Sequence, residues 1–171
     1  MKIIINGINA NLRFSAAHMI PTHKSCGFIH GHSYFVDIEI EGEKSGDFNF
    51  VVDFKEVKSI VKDICNSLDH RFLVPIYNNH MEFKDIDEDN LSVESFDDFK
   101  NIQFKIEHKG YTIPKEDCVL LPIKYTSAEA LSEYFVEKIY DKLSNTSNLK
   151  SISACVNEGI GQGAMFTKTI N

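Results

Sequence analysis

The chain lacks any apolar run approaching the roughly 18 residues a membrane-crossing helix needs. Its opening stretch, MKIIINGINANLRF, is apolar but soon broken by Asn and Gly. It carries neither the apolar core nor the small-residue cleavage site of a secretory signal, and reads as the first strand of a cytoplasmic protein. Basic charge is also short, with 18 Lys and Arg against 25 Asp and Glu and a formal net charge of −7. A general nucleic-acid binder needs a basic face to replace counterions, so that class is excluded. A local basic pocket for a phosphorylated small molecule is not. The cysteines are few and scattered, at Cys26, Cys65, Cys118 and Cys155, with no C-x-x-C pair. That pattern excludes a disulfide scaffold and fits a reducing compartment. No internal repeat or flexible linker divides the chain. Its 171 residues, 43% of them hydrophobic, suffice for one domain with a proper core.

Periodicity supplies the elements. Residues 2–18 read as one long strand, bulged near Gly7, and 19–30 as a loop. From His32 to Glu43 apolar Tyr34, Val36, Ile38 and Ile40 alternate with polar neighbours, the period-two signature of a strand with one buried face. The segment after it turns, and Val51–Val52 resume a strand. Phe54, Val57, Ile60, Val61, Ile64 and Leu68 recur at spacings of three and four, predicting a helix capped by Asp53. LDHRFLVP ends that helix. Residues 77–121 read as an insertion: an acidic DIDEDN stretch on the outside, then a hairpin turning at Lys109–Gly110. A second helix follows Thr126 or Ser127, carrying Ala130, Leu131, Tyr134, Phe135, Ile139 and Leu143. Two strands, LKSISACVNE and AMFTKTI, close the chain. The sum is an α+β domain spanning 1–171, with two helices on one face of an antiparallel sheet.

The chemistry concentrates in FSAAH and CGFIHGHSYF. Residues i and i+2 of a strand face the same way, so His30 and His32 project to one side. His18 lies opposite them if the first two strands pair. Three neutral imidazoles leaving a fourth position open describe a catalytic zinc site. An H-x-H pair alone also occurs in proteins without metal. Cys26 fits three roles: a fourth ligand, a small buried side chain, or a reactive thiolate. Asp69 and His70 suit a carboxylate-oriented acid or base, or merely a helix terminus. Glu158, at a strand end before glycines, can accept two parallel hydrogen bonds from an amidine-like edge, or sit in an exposed turn.

Taken in order, F-S-A-A-H, C-x3-H-G-H-S-Y, V-x-D-F, L-D-H, T-S-A-E and a strand ending in Glu resemble the 6-pyruvoyl-tetrahydropterin synthase and 6-carboxytetrahydropterin synthase family. The resemblance covers about residues 12–76 and 122–160. It implies a tunnelling fold, with a four-stranded antiparallel sheet and two helices on one face. Three subunits would close a barrel, and two trimers would stack into a homohexamer with sites between subunits. It implies Zn²⁺ on His18, His30 and His32, with Cys26 as the proton-abstracting thiolate. Asp69 and His70 would form an acid/base pair contributed by a neighbouring subunit. Glu158 would anchor the pterin, and Glu129 and Ser127 would lie near the pocket. The implied substrate is 7,8-dihydroneopterin triphosphate. The three-residue spacing between Cys26 and H-G-H, with Ser after it, looks like the 6-carboxy branch rather than the 6-pyruvoyl branch; a non-catalytic zinc-stapled oligomer is the other alternative. Two features depart from the family pattern: Gly159 stands where a Thr usually follows the anchoring Glu, and the 77–121 segment is long. Arg13, Lys24, Lys105 and Lys124 are the candidate phosphate partners.

Overall fold

The computed structural model describes residues 1–170. In chain order, β1 (Lys2–Ile5) and β2 (Arg13–His18) precede the 13-residue β3 (His30–Gly42), helix α1 (Phe54–Leu68) and β4 (Arg71–Pro75). A short β5 (Glu82–Phe83), the hairpin β6 (Asn101–Ile106) and β7 (Lys109–Pro114), and β8 (Cys118–Leu121) come next. Helix α2 (Ala128–Leu143) and the hairpin β9 (Leu149–Gly159) and β10 (Gln162–Thr169) complete the order. No helix among the described residues is long and apolar enough to cross a membrane.

The four antiparallel strands that the family resemblance implies are present as β10, β9, β3 and β2, but the sheet does not stop at four. It is seven-stranded, in the order β10-β9-β3-β2-β4-β8, with β1 also on β3. Strand β4 runs parallel to β2, and β8 parallel to β4. Strand β8, four residues of which three are only half-buried, is too short to show a period, and β4 escapes a periodicity search through burial. Four of the five residues of β4 are buried, without alternation, as in strands covered on both faces. LDHRFLVP is therefore a helix end followed at once by a strand.

Strands β1 and β2 are not one strand either. Both pair with β3, at Ile38–Glu41 and His30–Phe35 respectively, and residues 6–12 loop out between them. Gly7 N–H donates to Asp37 Oδ1 at 2.7 Å and Val36 N–H to the Leu12 carbonyl at 2.9 Å. A Cβ on Gly7 would meet the Val36 carbonyl oxygen at 2.4 Å. Gly7→Ala is expected to cost about 1–3 kcal/mol through that clash, read as a lower urea midpoint at unchanged slope. Two smaller expectations also shift. Val51 and Val52 are buried in a bend before α1, not in a strand. The β6–β7 hairpin turns at Glu107–His108, because Ile106 pairs with Lys109 and Glu107 takes the left-handed φ of 53°.

The alternating face of β3 fixes the main core. Val36, Ile38 and Ile40 lie opposite Val156, Ala154 and Ile152 of β9. They pack in one cluster with Val57, Val61, Cys65 and Leu68 of α1 and Leu131, Phe135, Val136, Ile139 and Leu143 of α2. Both helices therefore cover the same face. Asp53 caps α1 by accepting from Lys55 N–H at 2.7 Å, and Ser127 caps α2. A second core joins the 77–121 segment to the sheet: Met81, Phe96, Ile102, Phe104 and Ile106 pack with Met19, Phe72, Val74 and Ile76. The segment also returns to the main sheet at its end, as β8.

Candidate metal centre and its surroundings

Cross-strand register assembles the centre. His18 is directly opposite His30, and Ala16 opposite His32, so the three imidazoles share the face that the helices cover. Their ring centroids lie 4.5–5.1 Å apart. One ligand atom from each lies within 4.8 Å of the others. Gly31, between two of them, passes so close to β2 that a Cβ would meet the Ala16 carbonyl at 2.9 Å.

Two of the rings are held by backbone carbonyls. His18 Nδ1 is 2.8 Å from the Thr126 carbonyl, and His30 Nδ1 is 2.7 Å from that of Phe28. A carbonyl only accepts, so each Nδ1 carries the proton and each neutral ring keeps its Nε2 lone pair for another partner. Thr126, at the foot of α2, is itself fixed by donating from Oγ1 to the Met19 carbonyl at 3.2 Å. His18 is 1% exposed, and its Nε2 has no hydrogen-bond partner. A buried polar atom without a partner carries a desolvation cost, and here it points at two more imidazoles. That donor set suits a divalent ion of the zinc type.

Burial pulls the His18 pKa down to about 4, and the neighbouring His30 and His32 add to the effect, against the Thr126 carbonyl. Since the folded value lies below the ordinary 6.5, the unfolded chain takes up the proton first as pH falls. Metal-free protein should keep its full stability above about pH 6.5 and lose it progressively down to about 4, by at most about 3 kcal/mol. Thermal melts of the chelator-treated protein at stepped pH measure this.

Glu158 is half-buried beside the cluster, its Oε2 4.0 Å from His32 Nε2. Tyr34 continues the row, its ring centroid 5.5 Å from His32 and its hydroxyl buried without a partner. Burial first, and then the charge of Glu158, push its phenol pKa up. Cys26 is half-buried in the loop ahead of β3, and its sulfur is not part of the ligand group. That loop is closed by backbone bonds and by His23, whose Nδ1 accepts from Cys26 N–H at 2.9 Å while its carbonyl accepts from Gly27 N–H, also at 2.9 Å.

Asp69 and His70 form the expected pair, His70 Nδ1 to Asp69 Oδ2 at 2.8 Å. Ser15 of β2 pins both: its N–H donates to Asp69 Oδ1, and its carbonyl accepts from His70 N–H, each at 2.7 Å. The Ser15 bond is the main reason the Asp69 carboxyl sits below its usual range. His70 adopts φ 56° just past the end of α1, the left-handed stop common at helix termini. The pair opens into a cavity of about 710 Å³ that none of the three clustered histidines lines. Tyr34, 5.5 Å from His32, does line it. Ser127 serves α2 as its cap, and its hydroxyl, bonded to exposed Glu129, lowers that carboxyl's pKa. Sequence reasoning missed the positioning roles of Thr126 and Phe28 and the place of Tyr34 beside the cluster. The first two act through main-chain carbonyls, which leave no side-chain signature, and Tyr34 reads as one more apolar alternation.

A sheet with both helices on one face and three imidazoles converging at the end of β2 defines a tunnelling-fold protein with a candidate metal centre. A profile of the family described as 6-pyruvoyl tetrahydropterin synthase matches residues 7–168. A provisionally named 6-carboxy-5,6,7,8-tetrahydropterin synthase of Methanocaldococcus jannaschii is 46% identical over 170 residues, 98% of this chain and 97% of that protein. The 6-carboxy-5,6,7,8-tetrahydropterin synthase of Bacillus subtilis is 34% identical over 86 residues, 49% of this chain and 54% of its own. Among solved structures, Plasmodium falciparum 6-pyruvoyl tetrahydropterin synthase superposes with a TM-score of 0.82 at 27% identity, covering 99% of this chain and 98% of that one. The chain belongs to the 6-pyruvoyl tetrahydropterin synthase family, a family of pterin synthase enzymes.

Proposed function

We propose that this chain is a zinc-dependent lyase acting on 7,8-dihydroneopterin triphosphate. It consumes one water, makes 6-carboxy-5,6,7,8-tetrahydropterin and releases acetaldehyde and triphosphate, a step toward the 7-deazaguanine (queuosine-type) bases of tRNA. The observation that carries this reading is the convergence of His18, His30 and His32 within 4.8 Å, with a buried, partnerless Nε2 on His18. The name of the M. jannaschii relative supports the 6-carboxy product.

Zinc bound by these three residues would supply Lewis acidity toward the adjacent hydroxyls of the substrate's three-carbon side chain. Every other part falls to the chain itself. Glu158 accepts two parallel N–H bonds from the pterin's amino-pyrimidinone edge. Gly159 offers no hydroxyl to add to that grip. Cys26, as thiolate, takes a proton from a side-chain carbon. His70 moves the second proton on the ring nitrogen facing away from Asp69, which holds Nδ1–H and so fixes the tautomer. The pair serves the site of a neighbouring copy, in a homohexamer with sites between subunits; that none of the three clustered histidines lines the cavity beside His70 supports this reading. Ser127 and Glu129 shape the rim from the first turn of α2. Incubating zinc-loaded protein with the triphosphate substrate and assaying acetaldehyde tests the reading; a pterin product without acetaldehyde overturns it.

A second reading, 6-pyruvoyl-tetrahydropterin synthesis with the side chain kept whole, is favoured by the full-length superposition on the P. falciparum enzyme. The same assay separates the two, since only the 6-carboxy reaction cuts a carbon–carbon bond. A non-catalytic zinc-stapled oligomer would need Cys26 as a fourth ligand, and the ligand group among the described residues is the three histidines without it.

A further inference from the structure

The cavity beside Asp69 and His70 contains more than that pair. Arg13, at the start of β2, and Lys62, on α1, line it together with Asn11 and Asn66. Lys62 and Asn66 are four residues apart and so share a face of the helix. Both cations are exposed, and neither forms a salt bridge among the described residues. Among the described residues Asp69 is the only carboxylate lining the cavity, and its oxygens are already engaged by Ser15 N–H and His70 Nδ1. In a chain of net charge −7, this hollow is locally positive and rich in donors.

We propose that Arg13 and Lys62 form an oligophosphate seat that holds the triphosphate tail of the substrate while His70 works on its side chain. The proposal rests on the function proposed above. The tail is esterified to the last carbon of a three-carbon side chain, so a group acting on that side chain stands within a few bonds of the first phosphorus. Cations that share a cavity with His70 are the ones in reach. Two other basic residues singled out in the sequence lie elsewhere. Lys124 lines a cavity beside α2 with Glu133, Glu137 and Asp141, and Lys105 sits opposite Glu82 on β5. Each has carboxylates at hand, and neither cavity holds a residue of the site. The division of labour suits the two side chains: the guanidinium of Arg13 can meet two phosphate oxygens at once, and Lys62 supplies a mobile point charge.

Inorganic tripolyphosphate, titrated calorimetrically into the zinc-loaded protein, tests this apart from any pterin chemistry. Binding is expected, weakened about tenfold or more by Arg13→Gln or Lys62→Gln, less by Arg13→Lys, and lost in the double Gln variant. Lys142→Gln removes the same charge from the last turn of α2 and is expected to leave binding unchanged. With substrate, the Gln variants should raise KM more than they lower kcat. Thermal melts and zinc content matching the unaltered chain show that the variants fold. No binding of tripolyphosphate, undiminished binding by the double variant, or an equal loss in Lys142→Gln overturns the seat. Failure of the proposed reaction shows itself differently, as absent acetaldehyde with tripolyphosphate binding and its dependence on Arg13 and Lys62 intact.

Discussion

Cys26→Ala is expected to lower turnover of the pterin triphosphate by about 10²- to 10⁴-fold, the usual worth of a positioned acid or base, with zinc content and melting temperature unchanged. The separation follows from how the loop is built. Its closure runs through the Ile20 N–H to Cys26 carbonyl bond at 2.8 Å and through His23, all of them main-chain or imidazole contacts. The sulfur takes no part in them, and it stands outside the ligand group. Removing it subtracts chemistry and leaves the scaffold. Metal analysis, a thermal melt and single-turnover product formation on one preparation give the answer. A variant that loses zinc and stability together would make the sulfur a structural ligand, and the enzyme reading would fall.

His18→Ala is expected to act on both properties at once. Loss of one of three ligands should weaken zinc by more than the roughly 10- to 100-fold typical of removing an outer-shell partner, measured by chelator competition. It also empties a fully buried position and leaves the Thr126 carbonyl unpaired, so the metal-free protein should lose about 2–4 kcal/mol. The half-buried His30 and His32 provide the contrast. Their alanine variants should lose zinc as severely, while the metal-free proteins melt within about 1 kcal/mol of the parent. If all three variants destabilise the metal-free protein equally, the special place assigned to His18 is wrong.

How far the sequence reaches depends on whether a feature leaves a period or a side chain. The alternation of Tyr34, Val36, Ile38 and Ile40 exposed β3, and the spacing of two put His30 and His32 on one face, as the register shows. The apolar stripes of α1 and α2 were equally legible, down to Asp53 as the cap of α1; for α2 the sequence left Thr126 and Ser127 open, and Ser127 is the cap. Arg71–Pro75 and Cys118–Leu121 were not: each is four or five residues long and lacks clean alternation. The break between β1 and β2 hides for another reason. Gly7 could mark a bulge or a full loop, and only the close approach to Val36 decides between them. Within the site, the imidazoles could be named from residue types, and the Asp69–His70 pair from the family resemblance, the contact itself being visible only in the structure. The carbonyls of Thr126 and Phe28 that aim them could not, because every residue carries one.

The apolar bed shared by Met19, Phe72, Val74 and Ile76 with the 77–121 stretch carries a cost for anyone wishing to shorten the protein. Excising that stretch would not restore a compact ancestor; it would lay bare four greasy side chains and strip β4 of the neighbour supplied by Cys118–Leu121. Met19 adjoins His18 in the chain, so the damage would begin one peptide bond from the most deeply buried imidazole of the cluster. Trimmed versions should clump before they merely slow down.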